Sequence, residues 1–169
     1  IGLAQAGADI VLVGSSSAER AVEDVRATGR RVIAVKADLL EAASIPRIVE
    51  TTVKEFGRVD ILVNNAGIIR RAPLLEFSEK DWDDVIQINQ KSLFFLSQAV
   101  AQQMVKQGGG GKIINIASML SFQGGIRVPS YTASKSAVMG LTRIMANEWA
   151  AHGINVNAIA PGYMETDNT

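Results

Sequence analysis

The chain has no cysteine and one histidine in 169 residues. Disulfides and thiol catalysis are therefore excluded, and a histidine-built zinc site or a Ser-His-Asp triad would rest on His152 alone. No metal site is expected. Net charge is also lacking, with 17 basic against 17 acidic residues. That balance argues against a nucleic-acid or membrane-surface protein. No apolar run reaches membrane-spanning length, and no signal peptide is visible. Aromatic residues make up 5% of the chain. With neutral charge, Trp82 and Trp149 read as packing residues rather than nucleic-acid stackers.

What the sequence does have is alternation. Short apolar runs at Asp9–Gly14, Arg31–Ala37, Val59–Asn64, Lys112–Ala117 and Ile154–Ala160 are separated by helical stretches. This is the pattern of an α/β protein with a doubly wound parallel sheet, read as one Rossmann-like domain over 1–169 with helices on both faces. Gly7, Gly29, Gly57 and Gly153 stand where helices end. Ser15 to Ser17 and Ser44 stand where helices begin. Ser78, with Asp81 three residues on, opens a long helix running to about Gln107, and Pro129 is a plausible first residue of the next helix. In such sheets ligands bind beyond the carboxyl ends of the strands. The unusual residues fall there: Gly14-Ser15, Asp38, Asn64 to Gly67, Ser118 and Pro161-Gly162.

The stretch Ser118–Lys135, SMLSFQGGIRVPSYTASK, carries the chemistry. Tyr131 and Lys135 are four residues apart and share one helix face. An ammonium beside a phenol favours the phenolate, which suits a tyrosine to proton transfer near neutral pH. Ser118 could hold the oxygen to which the proton moves. A Tyr-x-x-x-Lys pair alone is easily a matter of chance, so its neighbours decide. The Asn65-Ala66-Gly67 turn either lets a flat ligand approach the backbone or is an ordinary turn. Asp38 either accepts from a ligand amine or caps its own loop, and taken alone reads as a cap. Asn89 lies in a helix interior, where asparagine is unfavourable, and is either exposed or kept for its amide. Met104, Met119, Met139 and Met145 read as packing residues. Arg70, Arg71 and Arg127 are solvated surface charges or an anion site.

Taken together, Asn64-Asn65-Ala66-Gly67, Asn89, Ser118, Tyr131-x-x-x-Lys135 and Pro161-Gly162 with Thr166 resemble the short-chain dehydrogenase/reductase family, in its order and over the whole chain. The resemblance implies direct hydride transfer with a nicotinamide cofactor. It implies Tyr131 as general acid/base, Lys135 as the residue that tunes it and holds the nicotinamide ribose, Ser118 as the group orienting the reacting oxygen, and Asn89 as the holder of a water linking Lys135 to solvent. Asp38 and Leu39 would meet the adenine, Asn65, Ala66 and Gly67 the cofactor's inner edge, and Pro161, Gly162 and Thr166 the nicotinamide. Stretches such as LEFSEKDWDDV and NVNAIAPGYM look most like the branch that works at C5 of six-carbon keto-sugar acids from pectin breakdown. This implies a cytoplasmic homotetramer, joined through the helices of Asn89 and Tyr131. Ser118, Gln123 and Arg127 are then expected to meet the substrate, with Arg127, helped by Arg70 or Arg71, on its carboxylate. Other sugar or polyol dehydrogenases of the family, and a non-catalytic nucleotide-binding sensor, are the alternatives. The positions that usually separate NAD from NADP users hold Gly14 and Ser15; the closer likeness favours NAD, with NADP not excluded. The glycine-rich phosphate loop, a strand beside Asp9–Gly14, the last strand and the substrate lid have no counterpart in the sequence. The 169 residues alone are therefore expected to be inactive and marginally stable, with the first two strands cut off from the rest.

Overall fold

The computed structural model describes residues 1–164. They form two compact units, Ile1–Gly57 and the segment from Arg58 onward.

In the first unit, α1 (Gly2–Gln5) precedes β1 (Ile10–Gly14), α2 (Glu19–Arg26), β2 (Val32–Lys36) and α3 (Ser44–Phe56). β1 and β2 are parallel, with Ile10 opposite Val32 and Gly14 opposite Lys36. Ala4, Val25 and Val32 form the buried centre, with Ile10, Leu12 and Val22 packed on it. Two expected caps differ. The N-cap of α2 is Ala18, and Ser17 only accepts a long bond from the Glu19 amide (3.4 Å). Ser44 is the first residue of α3 rather than its cap; it is buried on the face that carries Ile45, Ile48 and Thr52, so packing overrides its capping preference. Gly57 ends α3 as expected, at φ 79°.

The second unit holds β3 (Ile61–Asn64), α4 (Glu79–Ile86), a π-helical segment (Gln87–Ser92), α5 (Leu93–Gln107), β4 (Gly111–Ile116), α6 (Pro129–Trp149) and β5 (Ile154–Ile159). Its strands are parallel in the order β3-β4-β5. The five strands make two parallel sheets, and no ladder joins β1 or β2 to the others among the described residues, in line with the expected separation of the first two strands. Ser78 caps α4 by accepting from the Asp81 amide, and its hydroxyl donates to the Asp81 carboxylate. The long helix expected after Ser78 is present, but interrupted by the π turns.

Both α5 and α6 pack on one face of this sheet, the face of Ile113, Val156 and the amides of Asn64 and Asn115. The other face presents Ile61, Val63 and Ile159 as exposed. Asn64 and Asn115 sit opposite each other in the β3–β4 ladder. Asn64 Nδ2 donates to Asn115 Oδ1 (2.8 Å) and to Ser97 Oγ on α5 (2.8 Å). Asn115 Nδ2 donates to Thr142 Oγ1 on α6 (2.9 Å), which in turn donates to the Val138 carbonyl. Burying polar groups is tolerable only when they are paired in this way. Met104 and Met145 fill the core, whereas Trp82 is 41% exposed, contrary to the expectation of packing.

Candidate active site

The carboxyl ends of β4 and β5 run on together. The Ala117 amide donates to the Ile159 carbonyl (2.8 Å) and the Met119 amide to that of Pro161 (3.2 Å). A Cβ on Gly162 would stand 2.4 Å from Met119 Cγ, so the close approach needs glycine. Ser118, directly after this tie, caps a single 3-10 turn over Met119–Ser121. Its Oγ accepts from the Leu120 amide (3.2 Å), and its own amide donates to Ser121 Oγ (3.2 Å). The Ser121 hydroxyl donates to the Lys135 carbonyl (2.7 Å), which fastens the turn to α6. Ser121 went unnoticed in the sequence, although its spacing from Ser118 is that of a capping box.

α6 starts at Pro129, whose fixed φ suits a first helical position. It then carries Tyr131 and Lys135 on one face, with Lys135 Nζ 5.6 Å from the centre of the Tyr131 ring. Lys135 is 4% exposed, and its Nζ donates to the Ile116 carbonyl (2.5 Å) at the end of β4. Burial pushes its pKa down from 10.5 to about 8, because an ammonium loses hydration there.

Asn89 lies inside the π segment and is 1% exposed, so it is kept for its amide. The amide pairs with both backbone groups of one residue: Oδ1 accepts from the Ile68 N–H (2.8 Å) and Nδ2 donates to the Ile68 carbonyl (2.9 Å). Nδ2 also donates to Ser134 Oγ (3.2 Å). Both amide hydrogens are taken, so a water held by this side chain could use only the remaining lone pair of Oδ1. Gly67 lies against this grip. A Cβ there would come 3.3 Å from Asn89 Oδ1 and 3.8 Å from Lys135 Nζ. Asn65, Ala66 and Gly67 themselves are exposed.

The loops facing α6 carry the polar candidates for substrate. Gln123 donates to the Tyr163 hydroxyl (2.7 Å). Arg127 is exposed and holds φ 67°, a left-handed conformation uncommon for a residue with a Cβ. Its carbonyl accepts from the Ala72 amide (3.1 Å), which ties the loop before α6 to the loop after β3. Arg70 is already engaged: its Nε lies 3.3 Å from Asp81 Oδ1.

In the first unit, Asp38 follows β2, and its Oδ1 accepts from the Leu40 amide (2.9 Å), which is the loop-capping role. Leu39 lies within that turn. Thr166 lies outside the described residues. The second unit thus brings together Ser118, Tyr131, Lys135, Asn89, Gly67 and Gly162 through β4, β5, α6 and the π segment. Ser121 and Ser134 are the polar partners that the sequence did not single out.

The chain as a whole is similar to known proteins. The family described as short chain dehydrogenase matches residues 1–169. The chain is 66% identical over 169 residues to the 2-dehydro-3-deoxy-D-gluconate 5-dehydrogenase of Dickeya dadantii, covering 100% of this chain and 67% of that one. It is 42% identical to the gluconate 5-dehydrogenase of Gluconobacter oxydans, covering 99% and 66%. Among solved structures, a protein of Agrobacterium tumefaciens with bound NADP is 50% identical at a TM-score of 0.85, covering 99% of this chain and 66% of that one. Acetoin dehydrogenase of Enterobacter cloacae superposes at a TM-score of 0.92 with 39% identity, covering 98% and 67%. The chain thus spans about two thirds of the length of these relatives. With the Ser118, Tyr131 and Lys135 geometry and a match along its whole length, the chain belongs to the short-chain dehydrogenase family.

Proposed function

We propose that the full-length protein carrying this chain oxidises or reduces C5 of a six-carbon keto-deoxy sugar acid, 2-dehydro-3-deoxy-D-gluconate, with NAD or NADP. The observation that carries this reading is the coincidence of the strand-end site with 66% identity to a relative bearing that activity in its name. NAD is the first cofactor to test; NADP is bound in a related structure.

The residues present fit a nicotinamide dinucleotide. The exposed Asn65-Ala66-Gly67 turn offers bare backbone beside Lys135, and Gly162 keeps the next strand end equally low. These residues, with Tyr131, Lys135 and Pro161, would hold the inner half of the cofactor. Asp38 and Leu39 would meet the adenine. When bound, the nicotinamide supplies the hydride acceptor for alcohol oxidation and the donor for the reverse. The protein handles the proton and the placement. Tyr131 takes the proton from the substrate hydroxyl as the C5 carbonyl forms, and returns it in reduction. Lys135, held against the β4 end by the Ile116 carbonyl, sets a positive charge beside the Tyr131 ring. Ser118 offers its hydroxyl to the reacting oxygen.

Arg127 anchors the substrate carboxylate, because its backbone is pinned to Ala72 and its side chain is exposed. Gln123 supplies a further polar contact. Arg127→Met in the full-length protein is expected to raise KM for the sugar acid about 10–100-fold with kcat less affected, consistent with the loss of a charge-assisted bond worth ~1.5–3 kcal/mol. An unchanged KM refutes this role. Turnover of the same protein on a panel of sugar acids and polyols tests the substrate; preference for gluconate would favour the gluconate 5-dehydrogenase reading. The exposed Phe95 of α5 and Ile144 of α6 support pairing of subunits through these helices in a cytoplasmic homotetramer, which light scattering would test.

A further inference from the structure

Ser134 is fully buried and stands directly before Lys135. Its hydroxyl hydrogen goes to the Tyr131 carbonyl (2.8 Å), one turn back in α6. That leaves its oxygen as an acceptor, and the Asn89 amide donates to it (3.2 Å). Asn89 in turn bonds both the N–H and the carbonyl of Ile68. Ile68 directly follows the exposed Asn65-Ala66-Gly67 turn. One unbroken chain of hydrogen bonds therefore runs from the backbone of Tyr131 through Ser134 and Asn89 to Ile68.

We propose that Ser134 is a positioning residue that couples the helix of the proton-transfer pair to the turn that receives the cofactor. Asn89 occupies a π segment, where helix hydrogen bonding is looser than in an α-helix. Without Ser134, one amide hydrogen of Asn89 is buried and unpaired, and the amide is free to turn away from Ile68. The Asn65–Gly67 turn then loses its anchor while Tyr131 and Lys135 keep theirs. The cofactor half of this inference rests on the dehydrogenase reading above; the structural half does not.

The test is Ser134→Ala in the full-length protein, with Ser134→Cys, which keeps the volume, as a second variant should alanine fail to fold. Hydrogen exchange of the apo protein is followed on peptides covering residues 65–69, and NAD and NADP affinity by nucleotide fluorescence. The expected result is exchange at Ile68 faster by about 10-fold and cofactor binding weaker by ~5–30-fold, with KM for the sugar acid unchanged. The Asn89→Ala variant should show the same loss, and the double variant no further loss. Exchange at Ile68 equal to that of the parent overturns the proposal, as does faster exchange with unchanged cofactor affinity in a parent that binds cofactor. A parent that binds neither nucleotide overturns the dehydrogenase reading instead, and Ile68 exchange alone then decides the role of Ser134.

Discussion

Asn115 and Asn89 are both almost completely buried asparagines in the second unit, and their surroundings make them opposites. Asn115 is paired with Asn64 and Thr142, side chains that are themselves buried between the sheet and its helices. Its network begins and ends in the core. Asn89 is paired with a main-chain peptide whose neighbour, Gly67, is exposed. One amide fastens secondary structure to secondary structure; the other fastens a helix to a surface turn. The same residue type at the same burial thus ties the core together in one place and holds a surface turn in the other.

That contrast can be broken experimentally, starting with the largest effect. Tyr131→Phe in the full-length protein should lower kcat by ~10²–10⁴, the usual worth of a positioned proton-transfer group, while cofactor affinity and thermal midpoint stay close to those of the parent. Steady-state kinetics with a parallel binding titration checks this; retained turnover would remove Tyr131 from the chemistry. Asn115→Ala should do the reverse. Losing its partners leaves the Asn64 and Thr142 groups short of bonds beside a new cavity, so unfolding free energy should fall by about 2–4 kcal/mol. The folded fraction should retain near-parental kcat/KM, and denaturant unfolding combined with active-site titration separates the two quantities. A variant with unchanged stability would show that the buried network carries no load.

Lys135→Met sharpens the comparison through a smaller stability change than that of Asn115→Ala. The native Lys135 releases its proton near pH 8, whereas in the unfolded chain it does so near 10.5. Below pH 8 the buried charge disfavours the folded state in full. Between 8 and 10.5 the unfolded chain holds the extra proton, so stability rises with pH through this window. The Met variant should lack that rise and be more stable than the parent at pH 7 by roughly 1–2 kcal/mol, although catalytically impaired. Denaturant midpoints at pH 7 and pH 10 give the answer, and equal pH dependence in the two proteins would contradict it.

Much of this was legible in the residues because it depends on local rules. Strand limits follow from apolar runs and agree with the structure to within one or two positions. Ser78, Pro129, Gly57 and Gly153 mark helix ends through capping and φ preferences that need no distant partner. The candidate residues Ser118, Tyr131 and Lys135 could be aligned because each stands at a strand end or on a helix turn. What was not legible depends on partners far along the chain. Ser97, Asn115, Thr142 and Ser134 look like ordinary polar residues in apolar stretches; their bonds span 27 to 51 residues for Asn115 and 45 for Ser134. The π turns at Gln87–Ser92 are marked only by Asn89, a poor helix-interior residue, which does not by itself specify a π segment. Ser44 misleads because burial, a tertiary effect, decides its place.

The Asn64–Asn115 pair has a consequence for how the sheet assembles. Side chains alternate faces along a strand, so sliding β4 by one residue against β3 would turn Asn115 away from Asn64, Ser97 and Thr142 and bring Ile114 or Ile116 in their place. Apolar strands alone would tolerate such a slip, since isoleucine flanks both faces of β4. The paired amides do not, because a misaligned ladder strands their hydrogen-bonding groups in apolar surroundings. Two asparagines in neighbouring strands therefore act as an alignment key for the β3–β4 register.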